Sequence, residues 1–335
     1  MSEAPQKSNV KGASLALIAF ALFASHDVVV KTLGGGYQTF QIVFFSVLLS
    51  FPLVVLMLMR DQQSGTLIPA HPWWTSLRTV AAIITGSSAF YAFSVLPLAQ
   101  VYAILFAAPL VITLLSIPIL GERVGLHRWA AVILGLVGVI IVLRPGSADL
   151  TLGHAAALTA AICGALASII VRKIGRDERS AVLLLYPMMA NFAVMACLVP
   201  FVYVPMPIND LGLVGVMAVF SFIAGLFLIN AYKAGDAAIV APMQYSQIIW
   251  AALYGAFFFA ESPDRETWIG AGIVIASGLY IVLREAFGPT TVSRPVLQSR
   301  ARPETATSPR FGALWWKQNR TDEGQHPLAT SPTKV

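Results

Sequence analysis

Charge is scarce in this sequence. Of its 335 residues only 11% are Asp, Glu, Lys or Arg, against about 25% in an average soluble chain. The shortage excludes a pair of water-soluble domains. With 57% hydrophobic residues and a mean hydropathy of +0.75, the composition is that of a membrane protein. Cysteine is scarce too. Cys163 and Cys197 each lie inside an apolar run, which excludes a disulfide framework and predicts packed, reduced thiols. Whole chemical signatures are missing. There is no G-x-x-x-x-G-K-[ST], so a nucleotide-driven motor is excluded. There is no H-E-x-x-H, no Cys/His metal spacing and no G-x-S-x-G, so neither metal nor cofactor is expected and the chain does not read as an enzyme. The formal net charge of +6 sits in the turns and the C-terminal tail. That placement bears on membrane orientation and gives no reason to expect nucleic acid.

What the sequence does have is long apolar runs. A spanning helix takes about 20 mainly apolar residues, and ten segments meet that requirement: 12–33, 38–59, 73–96, 98–119, 128–144, 151–171, 181–203, 211–232, 236–259 and 266–284. Runs as continuous as 101–120 argue for helices, because barrel strands alternate in segments of about ten residues. The first run exceeds the apolar core of a signal peptide, about 7–15 residues, and is read as a retained helix.

Two stretches share one layout. Residues 99–144 place two apolar runs around a turn with Glu122, and Trp129 follows seven positions later. Residues 238–284 do the same with Glu261 and Trp268, at a constant offset of 139. An internal repeat follows, one copy over 12–146 and the other over 151–285. Each copy holds five helices, an odd number, so the second enters the membrane from the opposite side. The even-numbered turns hold Arg60, Arg123, Arg128, Arg172, Lys173, Arg176, Arg179 and Lys233, the odd ones only Lys31, Arg144 and Arg265. By the positive-inside rule both termini are cytoplasmic, with Glu122 facing in and Glu261 facing out. Trp73, Trp74, Trp129, Tyr203 and Trp268 sit near helix ends as interface anchors. The expected fold is an all-α integral membrane protein of ten transmembrane helices, built as two inverted five-helix repeats. It is flanked by a cytoplasmic N-terminal tail, 1–11, and a disordered cytoplasmic C-terminal tail, 286–335, rich in Pro, Ser, Thr and Arg.

The G-E-R-V turn at 121–124, the V-L-R-P-G close at 142–146 and the looser second copy, F-A-E-S at 259–262, resemble the EamA type of the drug/metabolite transporter superfamily. The resemblance covers about 12–284. It implies a 5+5 inverted repeat around a central cavity, a secondary carrier of small metabolites, and relatives that export amino acids or import S-adenosylmethionine or riboflavin. Ser262 and Pro263 replace the first turn's Arg-Val, which leaves open whether the two gates behave alike.

Polar side chains inside a bilayer cost about 2.5–3.5 kcal/mol for a central Asp or Lys, so they mark candidate sites. In helix 1, Asp27 and Lys31 are four apart, share a face and can pair. They are candidates for ion or proton coupling, against the plainer alternative of a structural ion pair. His26 joins them as a candidate, although on a helix it points about 100° away from Asp27. In helix 9, Gln244, Gln247 and Trp250 recur at three-residue steps after Pro242. They suggest a seat for a flat polar ligand, or glue between helices. Ser88 and Tyr91 in helix 3, Tyr102 in helix 4 and Asn191 in helix 7 complete the substrate-binding set. Pro109 marks a hinge. Gln41 has a weaker claim near the outer mouth. Glycine-rich helices 5 and 10 read as scaffold. Glu122 and Glu261, at opposite faces, suit helix caps or salt bridges to Arg123 and Arg265.

The reading is a multi-pass secondary transporter of the inner membrane that moves a small organic metabolite by alternating access. The glutamine pair and aromatics favour a planar aromatic solute such as riboflavin or a nucleoside-like metabolite. Export of amino acids or other metabolites is the alternative within the family. A receptor or scaffold signalling through the C-terminal tail is the alternative from another class, and an intramembrane enzyme the more remote one. The expected partners are the small-molecule substrate and the lipid bilayer, with a homodimer left open.

Overall fold

The computed structural model describes residues 9–59, 67–122, 124–145, 150–175 and 177–287. Arg60, Arg123, Arg176 and the tail from 288 onward, on which the orientation and tail readings drew, lie outside the described residues. Among the described residues the ordered elements are all helical: α1 Asn9–Gly34, α2 Thr39–Met59, α3 Pro72–Val95, α4 Leu98–Leu105, α5 Ala108–Leu120, α6 Leu126–Leu143, α7 Leu152–Ile174, α8 Ser180–Val202, α9 Ile208–Ala234, α10 Ala237–Val240, a 3-10 segment Ala241–Ser246, α11 Gln247–Phe259 and α12 Arg265–Phe287.

Among the described residues seven stretches are long and apolar enough to cross a bilayer: α1, Leu98–Leu120, α6, α7, Val182–Val202, α9 and Arg265–Arg284, while α2 counts only as a shorter apolar helix over Thr39–Leu53. The other segments fall short for physical reasons. Helix α3 has the length, but Thr, Ser and Arg78 dilute its apolar character. Helix α11 has the hydropathy but is cut to 13 residues by the 3-10 segment before it. The outer surface is apolar: Ile133, Ile140, Ile249, Leu253 and Phe257 are all exposed. An apolar face of that extent belongs against lipid, and the protein is a multi-pass membrane protein.

The bundle is held by α1 along α9, α3 along α7, α6 along α12 and α2 along α8, with α5 also packed against α7. Helices α6 and α12 meet backbone to backbone. A methyl group on Gly138 would stand 2.8 Å from the Gly270 carbonyl oxygen, and one on Gly270 would stand 2.6 Å from that of Gly138. This is the close approach expected of small residues in lipid, where packing drives helix association.

The repeat is visible in the backbone. Gly121 and Ala260, 139 apart, both adopt the left-handed conformation, at φ 70° and 52°. The next residue's N–H turns back to a carbonyl in each copy, Glu122 to Ser116 at 3.3 Å and Glu261 to Gly255 at 2.9 Å. The segment before each cap is broken at matching places. Phe106 and Ala107 separate α4 from α5, just ahead of Pro109. In the second copy the 3-10 segment carrying Pro242 takes that position. Proline has no N–H to continue the helical ladder, so each break falls where the sequence withdraws a donor. Phe106 and Tyr245, again 139 apart, touch edge to face with ring centroids 5.0 Å apart.

Candidate functional site

The buried stripe of α1 runs Ala16, Ala19, Phe20, Phe23, Ala24, Asp27 and Val30, steps of three and four that define one helix face. Asp27 therefore sits inside the protein, at 0% exposure, with His26 beside it at 1%. Helix α4 is buried over nearly all its length and brings Tyr102 to the same place. Gln247, the first residue of α11, arrives from the second copy and is also fully buried.

These four side chains form one hydrogen-bonded chain. Gln247 Nε2 donates to the Tyr102 hydroxyl at 3.2 Å, and Tyr102 donates to Asp27 Oδ2. His26 Nδ1 lies 2.8 Å from Asp27 Oδ1. With the hydrogen on Nδ1, Asp27 accepts both bonds, as an ionised carboxylate must. Both ends of the chain stop at atoms without a hydrogen-bond partner, His26 Nε2 and Gln247 Oε1. They are two of several buried polar atoms without a hydrogen-bond partner among the described residues, Asn191 Oδ1 being another, and a buried polar atom left unmatched costs about 1–3 kcal/mol. Aromatic rings wall the chain. Phe90 meets His26 at 5.7 Å, Phe93 meets Tyr102 at 5.3 Å, and Phe106 stands between Tyr102 and Tyr245. Chemically the arrangement can hold or pass a proton and can present polar contacts beside flat apolar walls.

Two sequence expectations are corrected here. Lys31 does not pair with Asp27. Its ammonium lies 2.6 Å from Glu261 Oε1 and donates to the Leu96 carbonyl at 2.5 Å, so it leaves the face shared with Asp27 for an acidic partner on the other copy. His26 does not point away from Asp27, because rotation about its side-chain bonds brings Nδ1 back to the carboxylate. Glu122 and Glu261 do make salt bridges, Glu122 with Arg172 at 2.5 Å and Glu261 with Lys31 rather than Arg265; Arg123 lies outside the described residues.

The other expected residues lie outside the chain. Gln244 is half-buried in the 3-10 segment. Trp250 is half-buried and rests against Tyr254, centroids 6.0 Å apart, whose hydroxyl accepts from Ser25 of α1 at 3.3 Å. Ser88 and Tyr91 are half-buried on α3. Asn191, on α8, is buried with its Oδ1 unmatched. Gln41 is a structural clasp, its amide bonded to both the N–H and the carbonyl of Val204, at 2.9 and 2.7 Å. Sequence reasoning missed Phe106 and Tyr245. Their shared offset of 139 was the available signal. A cavity of about 410 Å³ lies elsewhere, lined by Lys11, Leu15, Asn230, Lys233 and Ala234. From Lys11 to Asp27 along α1 is about 24 Å at 1.5 Å per residue.

The comparisons with known proteins agree with this architecture. The chain matches the EamA-like transporter family twice, over residues 10–144 and 151–283. It is 27% identical over 280 residues to the S-adenosylmethionine uptake transporter of Rickettsia felis, covering 83% of this chain and 95% of that one. It is 28% identical over 221 residues to the riboflavin transporter of Rhizobium johnstonii, covering 64% and 72%. It is 26% identical over 274 residues to the pseudopaline exporter CntI of Pseudomonas aeruginosa, covering 79% and 94%. One solved crystal structure shares the fold, with a TM-score of 0.53 at 17% identity, over 84% of this chain and all of that one. These matches indicate a transporter rather than an enzyme. With both copies of its repeat matched, the chain belongs to the EamA-like transporter family, within the drug/metabolite transporter superfamily.

Proposed function

We propose that the protein is a secondary active transporter that carries a small organic metabolite across the inner membrane by alternating access. The observation that carries this reading is the buried chain His26–Asp27–Tyr102–Gln247, built from both copies of the repeat and ending on unmatched polar atoms. In this reading α2, α3 and the α10–α11 stretch also span the bilayer. That makes ten helices, five per copy, with the copies inserted in opposite directions and both termini in the cytoplasm. Exchanging the copies turns the α1–α9 pair into α7–α3 and returns α6–α12 and α2–α8 to themselves, which supports the inverted arrangement. So does the contact of Phe106 with Tyr245, since a residue touches its own counterpart only at a symmetry axis. Duplicated halves of opposite orientation suit a site at the interface that opens to each side in turn.

Asp27 and His26 couple transport to a proton. Tyr102 and Gln247 hold the solute, with Gln244, Trp250, Asn191, Ser88 and Tyr91 around them. The solute class is planar and heteroaromatic. Relatives named for S-adenosylmethionine uptake and for a riboflavin transporter fit that class. The test is counterflow in liposomes holding the purified protein, with S-adenosylmethionine and riboflavin, with and without a pH gradient. Saturable uptake that responds to the gradient is expected, and Asp27→Asn removes the response. A folded protein that moves no member of a wider panel of flat metabolites contradicts the reading.

A further inference from the structure

Besides the pairs of Arg144 with Asp264 and Glu266 beside the α6–α12 contact, two ion pairs away from the central chain tie the copies together. At one, Lys31 in the last turn of α1 holds Glu261 at 2.6 Å and the Leu96 carbonyl at 2.5 Å. The other oxygen of Glu261 accepts from the Leu98 N–H at 3.1 Å. At the other, Arg172 in the last turn of α7 donates to Glu122 at 2.5 Å, and Lys173 donates to the Ile119 carbonyl at 2.8 Å. The two glutamates are counterparts, 139 apart, and the cations hold similar places although the residue 139 from Lys31 is Ile170. Each glutamate directly follows a left-handed cap, and each cation ends the first helix of the opposite copy.

They also stand at opposite ends of the bundle. Gly153, at the start of α7, packs against Leu96, the residue that holds Lys31. Arg172 lies further along the same helix by about 28 Å at 1.5 Å per residue. The four side chains are between 11% and 19% exposed, so water screens these pairs far less than it screens surface salt bridges. Helices that move apart at either end must break the pair there.

We propose that Lys31–Glu261 and Arg172–Glu122 are the two gates of the carrier, broken alternately, and that the structure with both made is the occluded state. The proposal rests on the alternating-access reading.

The test uses the full chain with Cys163→Ala and Cys197→Ala and a single reporter, Ser88→Cys on α3. An impermeant maleimide is applied to right-side-out and to inside-out vesicles. Lys31→Ala is expected to raise labelling at least threefold from the Lys31 side and lower it from the other. Arg172→Ala does the reverse. The swap Lys31→Glu with Glu261→Lys returns labelling to the starting level, which separates gating from simple loss of fold. Equal changes from both sides, or none, overturn the proposal. Transport of a solute by the unaltered chain is measured alongside. Opposite labelling shifts without transport would sink the choice of solute and spare the gates, while normal transport without shifts would sink the gates and spare the carrier.

Discussion

Tyr102 joins the two copies' contributions to the buried chain, accepting from Gln247 and donating to Asp27. Removing its hydroxyl leaves an amide hydrogen and a carboxylate oxygen facing each other across a gap. Tyr102→Phe is therefore expected to cost about 1–3 kcal/mol and to lower transport at least tenfold at equal abundance. Thermal unfolding in detergent and vesicle uptake measure the two effects. Ala260 gives a second prediction. Its left-handed backbone at φ 52° carries a methyl group where a side chain costs roughly 1–2 kcal/mol, so Ala260→Gly is expected to raise the unfolding temperature and Gly121→Ala to lower it. Of the chain, Asp27, His26, Tyr102 and Gln247 were all singled out from the sequence as costly polar residues in apolar runs. Their connections were not. Four-residue spacing places Asp27 and Lys31 on one face, and no local rule reveals that Glu261, on the other copy, takes Lys31 instead.

Among the elements, the apolar segments were legible nearly to their ends, because a run of residues that water rejects can only be a span or a core. Pro109 and Pro242 marked the breaks but not their form. A turn of two residues interrupts the first copy and a 3-10 segment the second, and that difference depends on packing rather than on the prolines. The scaffold role of α6 and α12 was legible from glycine alone. It carries a paired prediction. A methyl group at Gly270 would meet Gly138 and Val142 at 2.5–3.1 Å, whereas one at Gly272 meets nothing within 4 Å. Gly270→Ala is expected to destabilise by about 1–3 kcal/mol, as overpacking does. Gly272→Ala is expected to be neutral or stabilising, since alanine favours the helix over glycine by about 1 kcal/mol. Unfolding temperatures of the two variants, measured together, decide it.

At the scale of the whole molecule, an apolar exterior encloses a polar chain assembled from two copies of one unit, and a carrier needs both features. The described residues, which end at 287, supply both. Deleting 288–335 is expected to leave uptake within about twofold of the full chain, whereas a receptor signalling through the tail would lose its activity. The most direct measurement is proton-coupled counterflow of S-adenosylmethionine or riboflavin by purified protein, comparing the unaltered chain with Asp27→Asn. Saturable exchange in both, with the response to a pH gradient lost in Asp27→Asn, is the predicted result. An Asp27→Asn protein that keeps the full gradient response would contradict the account, because its buried carboxylate would then have no part in transport.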